Sequence, residues 1–277
     1  MGLVQLKPRT ESKIVGTSVV RLLMRVMQDT HERRGISVIS GPWGIGKTTT
    51  INELTRKTED RFGEFIVVKV ENGTNKQGST ARSILQRIAE TMRMENGERG
   101  GMQLSGSLWQ LRQMVFNLVY KRCDPNDLDD LDVHYPITII FDEAQRLSRE
   151  AIEMLRDFND RDRTTGPIPL GLIFIGNNEF ALDESLGRDS VIAGAVRSRL
   201  LYEEQLTYAN LSNDDLAMIA EAKGITDKAA IKTLVGFFNQ PRVKRDLRQM
   251  ERVILNCERY TGGAPTTVET VRHVLNP

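Results

Sequence analysis

The stretch Ser40-Gly41-Pro42-Trp43-Gly44-Ile45-Gly46-Lys47-Thr48-Thr49-Thr50 decides the fold. Gly41 to Thr48 fits the spacing G-x-x-x-x-G-K-[ST], in which glycines let the backbone wrap an anion with several N–H groups pointing inward. Ile36-Ser37-Val38-Ile39 reads as a short buried strand just before it, and Thr49 to Lys57 as a helix just after it. That order brings a helix N-terminus, with its partial positive charge, to the anion. The expected ligand is a nucleotide. Lys47 reaches its β- and γ-phosphates, the Thr48 hydroxyl ligates Mg²⁺, and Gly41, Pro42, Trp43, Gly44, Ile45, Gly46 and Thr49 line the phosphate loop.

A second motif supports the first. Ile137-Thr138-Ile139-Ile140-Phe141 reads as a buried strand that delivers Asp142 and Glu143 at its C-terminal end. Such a pair suits Mg-nucleotide chemistry, with Asp142 in the metal shell and Glu143 polarising an attacking water. Leu170 to Gly176 reads as a further strand, and it ends at Asn177. An amide there would stand beside the γ-phosphate. Phe65 to Val70 completes the apolar runs before the second motif, and Leu201 to Leu206 is strand-like. Strands alternating with helices imply a parallel sheet with ligands at the C-terminal strand ends, where all three motifs fall.

Bulk properties narrow the class. The chain has 277 residues, 39% hydrophobic and 27% charged, ordinary for a globular protein with a sizeable core. A net charge of +1 gives no global basic field, so any nucleic-acid contact must come from local patches. Cys123 and Cys257 are far apart, which implies neither a disulfide framework nor a zinc site. The start lacks an apolar signal core and no run is long enough to span a bilayer, so a cytoplasmic protein without membrane association is expected.

Helices are expected over Ser12–Glu32, Ser79–Met94, Ser107–Arg122 and Ser148–Asp160. Beyond Asn210 no strands intervene, and helices are expected near 212–222, 226–238, 241–258 and 266–275. Two domains follow: an α/β nucleotide-binding domain at 1–208 and an all-helical domain at 209–277. On the helix expected after Pro241, Val243, Leu247, Met250, Ile254 and Cys257 share one face, opposite Arg245, Arg248 and Arg252. The arginine face is either a solvated surface or the source of an arginine that reaches back to the nucleotide.

Phosphate loop, Asp-Glu strand, strand-end Asn177, Arg197-Ser198-Arg199-Leu200 and a helical C-terminal domain together resemble the AAA+ ATPases. Within them the chain is similar to the DNA-transposition group of the phage Mu B, TnsC, TniB and IstB ATPases, over roughly residues 14–260. The resemblance implies sheet order 5-1-4-3-2, ATP and Mg²⁺ as cofactors, and a helical lid. It implies Asn177 as a sensor and Arg199 as a finger acting on a neighbour's ATP, with Arg197 the alternative. Arg245, or Arg242 beside Pro241, would be a second sensor, and Val15 to Thr17 would border the adenine. The Mu B protein's N-terminal helix-turn-helix domain is expected to have no counterpart here.

The resemblance also implies a homo-oligomeric ring or filament with ATP at subunit interfaces, duplex DNA held by its phosphate backbone, and a transposase partner. DNA would meet the loop Asn72–Thr80, with Asn75, Lys76 and Thr80, then Arg82, and Arg146 and Arg149 after the Asp-Glu pair. One lysine per subunit becomes a cationic track when repeated along a filament. Two other classes are weighed: a replication initiator or helicase loader, and a DNA-independent signalling or secretion switch. Asp142-Glu143-Ala144-Gln145 is also similar to a DEAx-box helicase motif, but that needs two motor domains.

Overall fold

In the computed structural model, residues 14–58, 64–71, 79–95, 106–122, 137–160, 170–180 and 194–276 are described. Asn75, Lys76 and the acidic stretch Asp124–Asp132 lie outside them. The chain divides into two compact units: Leu22–Thr207, and Tyr208–Pro277 with the residues up to Arg21. The division falls inside the first helix, α1 (Ser18–Arg33).

The larger unit is built on five parallel strands: β1 (Ile36–Ser40), β2 (Glu64–Lys69), β3 (Ile137–Asp142), β4 (Gly171–Gly176) and β5 (Leu200–Gln205), in the order β2-β3-β4-β1-β5. This is the expected 5-1-4-3-2 order. Every residue of β1, β3 and β4 is buried, because helices cover both faces of a parallel sheet and leave its central strands no polar side. β5 is an edge strand and is only partly buried. Four helices accompany these strands: α2 (Lys47–Thr58), α3 (Ala81–Glu95), α4 (Leu108–Arg122) and α5 (Arg149–Arg156). One core cluster joins Val38, Ile66, Ile139, Phe141, Leu172 and Phe174 to Leu85, Ile88, Leu111, Val115 and Leu155. Phe141 and Phe174 stack at 5.1 Å. A side chain at Gly171 would come within 2.4 Å of Thr138 Oγ1, so this strand start must be glycine for β3 and β4 to pair.

The register fixes which residues meet at the rim. Ser40 pairs with Gly176 and with Gln205, and Asp142 pairs with Ile175 and with Lys69. The chain therefore leaves β1, β3 and β4 on one side of the sheet, into Gly41, Glu143 and Asn177. Arg199 precedes β5, whose first residue pairs with Ile36, the first residue of β1. It lies at the opposite rim, about 13 Å away along the strands at roughly 3.3 Å per residue.

After a short helix, α6 (Gly194–Arg197), and β5, the smaller unit adds α7 (Asn213–Ala222), α8 (Lys228–Phe238), α9 (Leu247–Thr261) and α10 (Val268–Leu275). Leu216, Ala220, Ile231, Leu234, Phe238, Met250, Ile254, Cys257 and Val271 form its core. Ser212 and Asp215 make a capping box on α7, and Asp215 Oδ1 also accepts from Ser18 N at 2.9 Å. Burial alone would raise the Asp215 carboxyl. The amides of Ser212 and Ser18, with their hydroxyls, outweigh it and hold the group below its ordinary value.

Three expected helices differ from the structure by more than two residues at one end or both. The first begins at Ser18, not Ser12, because Gly16 and Thr17 interrupt it and Thr17 Oγ1 accepts Val20 N at 3.2 Å as a cap. Apolar Ile14 and Val15 precede it without belonging to it. The helix expected over Ser148–Asp160 covers Arg149–Arg156, and 157–159 form a turn. The helix expected over 241–258 begins at Leu247, where the Asp246 carboxylate caps it by accepting from Arg248 N and Gln249 N. Arg242, Val243 and Arg245 therefore sit in the turn before α9, not on its faces.

Candidate active site

The phosphate loop is folded by its own glycines. Gly44 and Gly46 have φ of 72° and 98°, in the left-handed region that costs other residues about 1–2 kcal/mol. A side chain at Gly41 would meet Leu206 Cβ at 2.7 Å. Lys47 opens α2 and curls back so that Nζ donates to Gly41 O at 2.8 Å and Pro42 O at 2.9 Å. The ammonium is thus held over the loop, at the end where helix N–H groups point. Within the loop Ile45 is buried, whereas Trp43 is 65% exposed. Thr49 follows Thr48 in the first turn of α2.

Thr48 and Asp142 are brought together from residues far apart in sequence. Thr48 Oγ1 donates to Asp142 Oδ2 at 3.0 Å, and Asp142 Oδ1 accepts from Glu143 N at 3.0 Å. Burial pushes the Asp142 carboxyl above its ordinary range. The Thr48 hydrogen bond opposes this and the neighbouring Glu143 charge adds to it. A desolvated carboxylate beside a hydroxyl is an all-oxygen pair that gains from a hard divalent cation, and it fits Mg²⁺ in kind. Among the described residues there is no group of three or more His, Cys, Asp or Glu side chains able to hold a metal, so the remaining ligands would be phosphate and water.

Glu143 turns off the end of β3 in a left-handed conformation, φ 63° and ψ 38°. For a non-glycine residue this stores about 1–3 kcal/mol, a strain that clusters at functional sites. Its carboxylate is engaged by Gln145 and Arg146. Oε2 accepts from Gln145 Nε2 at 2.7 Å and pairs with Arg146 at 3.5 Å. Gln145 Oε1 in turn accepts from Asn177 N at 3.2 Å. Gln145 thus ties the candidate base to the end of β4. Sequence reading gave it no role, because only the reversal at Glu143 turns a neighbour two positions on into a partner. The Asn177 side chain folds onto its own loop, with Oδ1 accepting from Glu179 N at 3.0 Å.

The residues expected to meet DNA are partly gathered. Ser79 bridges Leu147, with Ser79 N donating to Arg146 O at 2.6 Å and Ser148 N to Ser79 O at 3.2 Å. The backbone entering α3, just before Thr80 and Arg82, thus runs alongside residues 146–148, which lead into Arg149. Arg82 and Arg149 are exposed. Arg146 is more committed, since Nη1 also donates to Val70 O at 3.1 Å.

Arg199, on the rim opposite the phosphate loop, is ion-paired with Asp160. Arg197 pairs with Glu203 at 3.2 Å. Within the helical unit, Arg245 donates to Leu211 O, Asn213 Oδ1 and Asn239 Oδ1. Arg242 is exposed. Val15 and Thr17 group with that unit as well, Thr17 N donating to Val15 O at 2.7 Å.

Comparison with known proteins agrees with this geometry. Residues 29–182, more than half of the chain, match the family model of the AAA domain. The match takes in β1 through β4 with the phosphate loop, Asp142, Glu143 and Asn177. No curated protein sequence matches the chain. Among solved structures, the Aeropyrum pernix ORC2 protein in its ADP form superposes with a TM-score of 0.62 at 13% identity, over 99% of this chain and 70% of that one. Cdc6p from Pyrobaculum aerophilum gives 0.63 at 14% identity, over 97% and 69%. The A. pernix ORC1 protein in complex with DNA gives 0.58 at 16% identity, over 96% and 66%. At such identities the likeness is one of fold. With the family match, the sheet order and the phosphate-loop site on the same rim, the chain belongs to the AAA domain family and carries an AAA-type P-loop ATPase domain.

Proposed function

We propose that this protein is a Mg-dependent ATPase that assembles on duplex DNA as a ring or filament and delivers that DNA to a transposase. The observation that carries the ATPase part is the meeting of Lys47, Thr48, Asp142 and Glu143 at one strand rim. In this reading Lys47 and the Gly41–Thr49 loop bind the phosphates, and Thr48 and Asp142 hold Mg²⁺. The metal offsets phosphate charge. Glu143 accepts the proton of the attacking water, and Asn177 orients it.

The opposite-rim position of Arg199 supports a role in trans, because a subunit cannot bring it to its own phosphates. A nucleotide between Lys47 of one copy and Arg199 of the next makes assembly depend on ATP. Arg245 or Arg242 serves as the second sensor and Val15–Thr17 as the adenine border. In this reading residues 1–208 serve as the nucleotide domain and 209–277 as the lid, while the residues up to Arg21 group with the helical unit.

DNA is read through its phosphates by Thr80, Arg82, Arg146 and Arg149, together with Asn75 and Lys76, repeated along the assembly. The A. pernix ORC1 protein, solved on DNA, supports nucleic acid as the partner for this fold. The same likeness favours a second reading, a replication-initiator ATPase, which would prefer particular DNA sequences where the first would not.

The test is ATP turnover with and without duplex DNA of unrelated sequences. Turnover should rise with any duplex, and the rise should fade steeply as salt increases. Stimulation by one sequence alone would favour the initiator. Turnover indifferent to DNA, with none retained at low salt, would favour a DNA-free switch.

A further inference from the structure

The outward face of α9 carries a row of arginines that the nucleotide chemistry does not use. Its inward face is fixed by Met250, Ile254 and Cys257, all buried in the core of the helical unit. At about 100° per residue, Arg252 and Arg259 fall roughly 40° and 20° round the helix from Arg248, on the side opposite that core. All three are exposed. Arg248 and Arg259 stand about 16 Å apart along the axis, at roughly 1.5 Å per residue. Arg242 and Lys244, in the turn before α9, are exposed as well.

Two of the nearby carboxylates are engaged, and the third, exposed Glu258, falls roughly 80° round the helix from Arg248. Glu251 is paired with Lys223 at 2.5 Å, and Asp246 caps the helix. Among the described residues, none of the three arginines has an ion-pair partner.

We propose that this face is a second contact for the phosphate backbone of duplex DNA, separate from the residues at the ends of β2 and β3. The inference rests on the DNA-binding reading above. Three features favour a nucleic-acid backbone over a protein partner. The cations are arginines, whose planar fork matches phosphate. They form a straight row on one helix, which suits a regular polyanion and reads no base. Among the described residues the large apolar side chains exposed on α9 are Leu255, at 44%, within the row, and Tyr260, at 61%, just past it, too few for the roughly 800 Å² that a stable protein interface takes from each side.

The test is titration of a labelled duplex with the full chain and a non-hydrolysable ATP analogue, across a salt series. The parent is compared with R248A/R252A/R259A and with the matching triple lysine variant. Three lost phosphate contacts should make the plot of log affinity against log salt shallower by about 2.7, at roughly 0.9 per contact. Over a fourfold rise in salt, the parent should then lose about 40-fold more affinity than the alanine variant. The lysine variant should keep most of the parent's slope, and nucleotide binding should be equal in all three. An unchanged slope in the alanine variant overturns this inference while leaving the DNA-binding reading in place. A parent that does not bind duplex overturns both. Loss of ATP-dependent assembly in the alanine variant without DNA would assign the face to a neighbouring copy, and also overturns the proposal.

Discussion

Replacing Glu143 by Gln should leave ATP binding intact and slow turnover by about 10²–10⁴-fold, the usual worth of a positioned base. The substitution keeps the size and shape of the side chain. An amide oxygen can still accept the Gln145 hydrogen bond that holds Oε2 at 2.7 Å. What it lacks is the ability to take the water's proton. The nucleotide should therefore stay bound, and any assembly it supports should become long-lived. Lys47→Ala should do the reverse and lose binding itself, since it removes the ammonium held on Gly41 O and Pro42 O. Single-turnover hydrolysis and nucleotide affinity, measured side by side, separate the two. Normal turnover by Glu143→Gln would remove Glu143 from the chemistry.

Arg199→Ala should bind ATP and hydrolyse it slowly, with a loss of about 10³-fold or more, as for other arginine fingers. In the proposed reading the finger serves a neighbouring copy, because the register puts Arg199 at the start of β5 and the phosphate loop at the end of β1. Mixing Arg199→Ala with Glu143→Gln should then restore some turnover. At half of the mixed interfaces an intact Glu143 site faces an intact Arg199. In the free chain Arg199 is ion-paired with Asp160, so it must leave that carboxylate to reach a neighbour's nucleotide. Absence of rescue at every mixing ratio, with oligomers present, would count against a role in trans. Rescue by Arg197 variants alone would move the finger to that residue.

The strands were legible because parallel, doubly covered strands must be apolar throughout. Ile36–Ile39, Ile137–Phe141 and Leu170–Gly176 have no other plausible place. Their order was not legible from the residues. Nothing in a buried strand names its neighbour, and the order came from the resemblance. The phosphate loop was readable because backbone chemistry dictates its glycines. Gln145 was not, because its bond to Glu143 depends on a left-handed turn that a glutamate does not announce. Helix starts failed where periodicity ran past a cap. Val243 and Arg245 continue the apolar and basic stripes of α9, yet Asp246 satisfies the first N–H groups and the helix begins after it. Moving the start in this way separates Arg245 from the row Arg248, Arg252 and Arg259. Arg245 then holds Leu211 O and Asn213, a tertiary bond that no local pattern encodes.

Electron microscopy of the chain with long duplex DNA and a non-hydrolysable ATP analogue tests the central claim most directly. The proposed function predicts regular filaments or stacked rings on the DNA, absent with ADP and dispersed when hydrolysable ATP is supplied to the parent but not to Glu143→Gln. Isolated single chains under every nucleotide condition, with bare DNA beside them, would contradict it.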